Sequence, residues 1–103
     1  MPRKRYTVTA KCFDKRGRLI SVGENSYRKT HPVQASLAKS VGLPEKCFLH
    51  AEVLALLRAG DKKVHRIRVE RFDADGNPAN AEPCPVCKQA IRQWGVAYTE
   101  YTN

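Results

Sequence analysis

The chain has 103 residues, 42% of them hydrophobic and 28% charged, which is ordinary for a single globular domain. Its 19 lysines and arginines against 10 acidic residues give a formal net charge of +9. That excess favours a phosphate-bearing partner, although a solvated basic surface would give the same count. No segment approaches the ~18 apolar residues of a membrane span, and no hydrophobic leader follows the basic N-terminus. We therefore expect one domain over residues 1–103, no membrane partner and a cytoplasmic location.

The N-terminal half predicts a β-hairpin followed by two helices. Apolar and polar residues alternate over Tyr6–Phe13, which is typical of a half-buried strand, and a turn leads into a returning strand at Leu19–Val22. A proline opens a first helix over residues 32–41, where proline is tolerated at the first helical position. A second helix runs from about His50 to Ala59, and apolar residues on nearly all its sides indicate that it is buried.

The C-terminal half predicts a strand, a loop, a helix and a last strand. Val64–Phe72 alternates like a strand, residues 73–78 form a loop, and a third helix begins near Cys84 and closes at Gly95. The last strand is Val96–Tyr101. The order β-β-α-α-β-α-β predicts the α/β class, with a right-handed parallel crossover in this half and helices on both faces of one sheet.

Cysteine and histidine spacing indicates a metal site. Cys84 and Cys87 are three residues apart at the start of the third helix, and His50 lies at the start of the second. A helix N-terminus lowers thiol pKa values and so favours the thiolates that bind zinc. These three ligands would leave a fourth tetrahedral position for water, as in a catalytic zinc site.

Glu52 is the candidate proton carrier beside this site. Two residues apart in mid-helix, His50 and Glu52 would point about 200° away from each other. They reach one site only if His50 is an extended residue at the helix start. A carboxylate at the head of an apolar helix needs a partner or a function, and we interpret Glu52 as functional rather than as a surface or salt-bridged residue.

A closed structural zinc site is the alternative. Cys47 and His50 have the same spacing as Cys84 and Cys87, so the four could form a Cys₃His site in a non-catalytic module that binds nucleic acid. Such modules do not usually carry a buried helix or require Glu52. The catalytic interpretation therefore predicts that Cys47 and Cys12 are free thiols.

The two half-motifs together resemble a known family. His50-Ala51-Glu52 and Pro83-Cys84-Pro85-Val86-Cys87 match the H-x-E…P-C-x-x-C signature of zinc deaminases. The chain resembles the cytidine/deoxycytidylate deaminase superfamily, including its tRNA-adenosine and guanine deaminase branch. The resemblance implies a three-layer α/β/α sandwich with a short mixed sheet. It also implies one Zn²⁺ per chain, held by His50, Cys84 and Cys87, and a zinc-activated hydroxide with Glu52 as the proton shuttle.

The resemblance also suggests substrate contacts and an assembly state. The predicted substrate-binding residues are Asn25, Ala51, Pro83 and His31, although His31 is better explained as a helix-entry residue. The family has a further strand and helix after the residues that match Val96–Tyr101, so this chain is C-terminally truncated relative to it. Aromatic side chains in the segment left uncovered then predict a homo-oligomer.

Two substrate classes remain open at this point. The first is cytosine in a free nucleoside or nucleotide, and the second is cytosine or adenine in single-stranded DNA or RNA. A basic track of Arg66, Arg68 and Arg71 with Arg3–Arg5, leading to the zinc, would favour the second class. The sequence leaves the identity of the base open.

Overall fold

The structure is a computed structural model that describes residues 6–26, 29–46 and 49–103. Cys47, on which the closed zinc site depends, and the predicted track residues Arg3–Arg5 lie outside the described residues. The elements are β1 (Thr7–Phe13), β2 (Leu19–Glu24), α1 (Pro32–Ser40), α2 (Ala51–Ala59), β3 (Arg66–Phe72), β4 (Pro78–Ala79), α3 (Pro85–Gln93) and β5 (Tyr98–Tyr101).

Five strands form one mixed sheet. β1 pairs antiparallel with both β2 and β3, while β3 pairs antiparallel with β4 and parallel with β5. The α/β class, the three helices and the parallel pairing of the C-terminal strands are confirmed. No helix in the described ranges is long and apolar enough to cross a membrane.

β4 is an addition to the predicted order. The segment predicted as a loop turns back at Asp73–Asn77, where the Asp73 N–H donates to the Asn77 carbonyl at 3.0 Å. The two residues Pro78 and Ala79 then pair with the end of β3. A two-residue strand is too short to produce a recognisable alternation, which is why the sequence pattern missed it.

One face of the sheet forms the core with the helices. Ala10, Cys12, Ile67 and Val69 alternate along β1 and β3 and are all fully buried. α2 packs on this face next to β2, where Gly23 permits an unusually close approach. A Cβ atom at Gly23 would lie 2.4 Å from the Ala51 carbonyl oxygen and 2.5 Å from the Ala55 nitrogen. The Ser21 hydroxyl also donates to the Ala55 carbonyl at 2.7 Å.

The opposite face of the sheet carries charged side chains along β1 and β3. Lys11 and Arg68 both contact Glu70, at 3.4 and 3.2 Å, and Arg66 contacts Glu100. In the described residues α1 packs on α3, and the apolar residues of α3 join the same core as α2. The mixed sheet with its three helices is the small α/β fold that the resemblance implies.

Candidate active site

The three predicted zinc ligands meet where α2 and α3 begin. His50 is the N-cap of α2 in extended conformation (φ −82°, ψ 155°), and Cys84 is the equivalent residue of α3 (φ −70°, ψ 169°). The His50 Nδ1 atom lies 3.2 Å from the Cys87 sulfur and 3.5 Å from the Cys84 sulfur. All three ligand atoms lie within 4.8 Å of one another.

This spacing fits a tetrahedral zinc ion. Zn–N bonds of about 2.0 Å and Zn–S bonds of about 2.3 Å place neighbouring ligand atoms roughly 3.5–3.8 Å apart. The two observed N···S separations, 3.2 and 3.5 Å, are at or slightly below that range. One imidazole nitrogen and two sulfurs are also ligands that zinc prefers, and His50, Cys84 and Cys87 are thus the residues that would hold it.

A buried glutamine positions the segment that carries His50. Gln34, on α1, is fully buried, which is unusual for an amide side chain. Its Nε2 group donates to the Lys46 carbonyl at 3.0 Å, and its Oε1 atom accepts from the His50 N–H at 3.3 Å. The sequence analysis does not single out this residue, because a glutamine on a helix is usually exposed.

Glu52 lies in the first turn of α2 and is only 6% exposed. Its position meets the geometric condition set by the sequence, because the extended conformation of His50 lets both residues approach one site. Burial raises the pKa of the Glu52 carboxyl, opposed by hydrogen bonds from its own backbone and from Cys87. A carboxyl group with a raised pKa is suited to accept a proton and return it.

Hydrogen bonds among the three ligand side chains shift their pKa values. Hydrogen bonds from the Cys87 thiol and the His50 ring lower the pKa of Cys84 to about 3. The hydrogen bond with Cys84 in turn raises the pKa of His50, and the Cys84 contact together with burial raises the pKa of Cys87. Cys84 therefore loses its proton more readily than Cys87, and both sulfurs would bind a metal as thiolates.

A cavity of about 390 Å³ opens beside these groups. This volume is within the range of small-molecule sites. Its wall contains His50, Glu52 and Cys84, and residues from both ends of the chain complete it: Tyr6, Val8, Asn25, Ser26, Glu45, Lys46, Ala51, Arg71, Asn80, Ala81 and Glu82.

The predicted substrate-binding residues divide into two groups. Asn25 and Ala51 line the cavity, and the Asn25 side-chain oxygen accepts from the Val8 N–H at 3.0 Å. His31 instead caps α1, where its Nδ1 atom accepts from the Val33 N–H at 3.0 Å. Pro83 lines a separate pocket of about 230 Å³ together with residues of α3 and β5.

Among the residues that the structure describes, the three arginines of the predicted basic track do not share one face of the sheet. Arg66 and Arg68 lie on the outer face of the sheet, paired with Glu100 and Glu70, whereas Arg71 lines the cavity. Arg71 has the same parity along β3 as the inward residues Ile67 and Val69. The alternation of residues along the strand therefore separates Arg71 from Arg66 and Arg68, a distinction that positive charge alone does not make.

A larger cavity of about 860 Å³ lies at the opposite end of the sheet. It is bounded by the turn between β1 and β2 and by the segment before β3, and its wall is mostly basic: Lys15, Arg16, Arg18, Lys62, Lys63 and His65. The metal-ligand cluster found among the described residues is not here but in the smaller cavity. The chemistry therefore favours the smaller cavity as the active site.

The fold and the ligand set together are those of a zinc-dependent deaminase. The chain belongs to the family described as the cytidine and deoxycytidylate deaminase zinc-binding region, whose model matches residues 2–102. Among solved structures it matches a mutant cytidine deaminase from Mycobacterium tuberculosis, with a TM-score of 0.53 and 23% identity. That match covers 96% of this chain and 70% of the other, and it supports the fold. A comparison with curated proteins gives no match.

Proposed function

We propose that the protein is a hydrolytic deaminase that acts on cytosine in a nucleoside or nucleotide, with one Zn²⁺ per chain and Glu52 as the proton carrier. The observation that carries this proposal is the convergence of His50, Cys84 and Cys87 within 4.8 Å, beside a cavity whose wall contains His50, Cys84 and the buried Glu52. A structural zinc site has no need of a buried carboxylate facing a cavity.

Glu52 performs the proton transfers in this proposal. When bound, zinc supplies a Lewis acid that lowers the pKa of a water molecule toward ~7. The Glu52 carboxylate accepts a proton from the attacking water and delivers it to the ring nitrogen N3, and the second water proton goes to the leaving amine. A C4–O bond forms, the C4–N bond breaks, ammonia leaves, and the second product is the corresponding uracil nucleoside or nucleotide.

Asn25 and the backbone at the two helix starts position the substrate. The Asn25 side-chain oxygen already accepts from the Val8 N–H, so its amide N–H groups are the donors that it offers to a ligand. Ala51 contributes to the cavity wall next to the zinc ligands. His31 and Pro83 do not line this cavity, so the proposal gives them no substrate contact.

A second candidate is a deaminase acting on cytosine or adenine in single-stranded DNA or RNA. The net charge of +9 favours it, although Arg66 and Arg68 are already paired with acidic residues. Turnover of a single-stranded oligonucleotide would fall steeply with salt, with a slope of about −0.7 per phosphate contact. Turnover of dCMP alone, nearly independent of salt, would eliminate this candidate.

A non-catalytic Cys₃His module is the remaining alternative, and the zinc coordination shell separates it from an enzyme. X-ray absorption of the zinc-loaded protein should give two sulfurs and two nitrogen or oxygen ligands for the proposed site. Three sulfurs would indicate that Cys47 is a ligand, and this result would overturn the catalytic proposal.

The direct test of the proposal is ammonia release by the zinc-loaded wild type and its Glu52→Gln variant, with cytosine, cytidine, deoxycytidine and dCMP. The variant is nearly isosteric but cannot carry a proton, so we expect a loss of about 10²–10⁴-fold in kcat. Zinc content and circular dichroism should remain unchanged. Glu24→Gln, an exposed glutamate at the end of β2, is the matched control and should retain activity.

Two outcomes would contradict the proposal. Wild-type activity in Glu52→Gln would remove Glu52 from the chemistry. Absence of ammonia release from every substrate by the zinc-loaded wild type would remove the assignment as a cytosine deaminase.

A further inference from the structure

Arg71 is an arginine of β3 whose side chain lines the cavity of the candidate active site. It lies near the end of β3, opposite Val8 on β1 and Ala79 on β4. Strand alternation places it on the same sheet face as Val69, whereas Arg68 lies on the opposite face. Val8 and Arg71 line the same cavity as Glu52 and the zinc ligands His50 and Cys84.

The Arg71 side chain is held in place, but most of its donors are not used. Its guanidinium carbon lies 4.0 Å from the centre of the Tyr6 ring, and one terminal nitrogen donates to the Asn80 carbonyl at 3.2 Å. Its Nε atom is buried and has no acceptor among the residues that the structure describes. A guanidinium has five N–H donors, and leaving a buried one unpaired carries a desolvation penalty.

No ion pair neutralises Arg71 within the described part of the chain, in contrast to its neighbours on β3. Arg66 and Arg68 each have a carboxylate partner, and Glu82, on the rim of the cavity, is paired with Lys88 at 3.3 Å. Glu45, the other acidic residue on the rim, is exposed to solvent and adjoins Lys46. A ligand oxygen is therefore the acceptor that this guanidinium requires.

We propose that Arg71 forms a phosphate subsite of the cavity, and that the substrate is a phosphorylated nucleoside rather than a free base or nucleoside. This inference rests on the proposed function only for the deamination of the substrate; phosphate binding at Arg71 does not depend on it. The planar guanidinium fork matches two phosphate oxygens, and stacking on Tyr6 fixes the plane of the fork. The cavity of about 390 Å³ is in the range of sites that hold ligands of mononucleotide size.

The test compares deoxycytidine with dCMP in the zinc-loaded wild type and in three variants. We expect the wild type to favour dCMP in kcat/KM by about 10- to 100-fold, the range for charge-assisted hydrogen bonds. Arg71→Gln should reduce that ratio to near one, mainly through a higher KM for dCMP. Arg71→Lys keeps the charge without the fork and should retain part of the preference. Arg68→Gln, on the same strand but the opposite face, is the matched control and should leave the ratio unchanged.

A third substrate distinguishes the source of the phosphate. An oligothymidylate with one internal cytidine presents phosphodiesters, and dCMP presents a monoester. Arg71→Gln should impair both substrates if the subsite takes the backbone of a single strand, and only dCMP if it takes a terminal phosphate.

A binding measurement separates this inference from the deamination assignment. If no substrate releases ammonia, titration calorimetry with dUMP and deoxyuridine still tests Arg71, because both ligands fit the cavity without reaction. Tighter binding of dUMP that is lost in Arg71→Gln and retained in Arg68→Gln supports the subsite. Equal binding of the two ligands, or equal losses in the two variants, overturns it.

Discussion

Replacing Gly23 by alanine should destabilise the protein and displace Glu52. The added Cβ atom would lie 2.4 Å from the Ala51 carbonyl oxygen, whereas ordinary contacts begin at 3.4 Å, so β2 and α2 must separate by about 1 Å. Overpacking of this kind costs ~1–3 kcal/mol. Restricting the unfolded chain returns only about 0.4–1 kcal/mol. The net loss of about 1–2 kcal/mol corresponds to a decrease in Tm of roughly 5–15 °C for a domain of this size.

The same displacement should reduce activity, because Ala51 and Glu52 are adjacent in the first turn of α2. A misplacement of 1 Å costs up to about 10²-fold in rate. Thermal unfolding and ammonia release, measured on the same zinc-loaded sample, test both effects. Gly17→Ala is the control. Gly17 has a φ of 81° and no atom near its Cβ position, so the variant strains the backbone in the turn between β1 and β2, away from the active-site cavity. It should lose stability and keep kcat.

Two results would refute this reasoning. A Gly23→Ala variant as stable as the wild type would mean that β2 and α2 do not approach as closely as the contacts indicate. A destabilised variant with unchanged kcat would mean that this contact does not position Glu52.

Two further predictions concern the metal and the assembly. Zinc removal by a chelator should lower the Tm by about 10 °C or more, since a ligand present at 100 times its Kd stabilises by ~2.7 kcal/mol; an unchanged Tm would mean that zinc is not bound at His50, Cys84 and Cys87. The protein should be a homo-oligomer at micromolar concentration by light scattering, because Tyr98 is 60% exposed on β5 and aromatic side chains are enriched at interfaces. A monomer would contradict this prediction.

The sequence predicted the elements that depend on local chemistry. Alternation in β1 and β3, proline at the start of α1 and apolar residues throughout α2 each gave an element within two residues of its observed limits at most ends. The prediction that His50 is an extended residue at a helix start was also local, and the structure has that conformation. Such features follow from neighbouring residues alone.

Features that depend on distant contacts were missed. β4 exists because the end of β3 is available for pairing, and its two residues have no periodicity of their own. Gln34 is important because its side chain bonds to the backbone of Lys46 and His50, which are 12 and 16 residues away along the chain. Charge alone places Arg71 in the same group as Arg66 and Arg68. Alternation along β3 instead places Arg71 on the face of the buried residues Ile67 and Val69.

The separation of the zinc ligands along the chain has a kinetic consequence. His50 and Cys84 are 34 residues apart, and β3 and β4 lie between them. A zinc ion held by both closes this segment into a loop, and the loop can open only when a ligand leaves the metal. Metal release would therefore accompany separation of α2 from α3. The rate at which a chromogenic chelator captures zinc would then follow local opening of the domain, before global unfolding becomes visible.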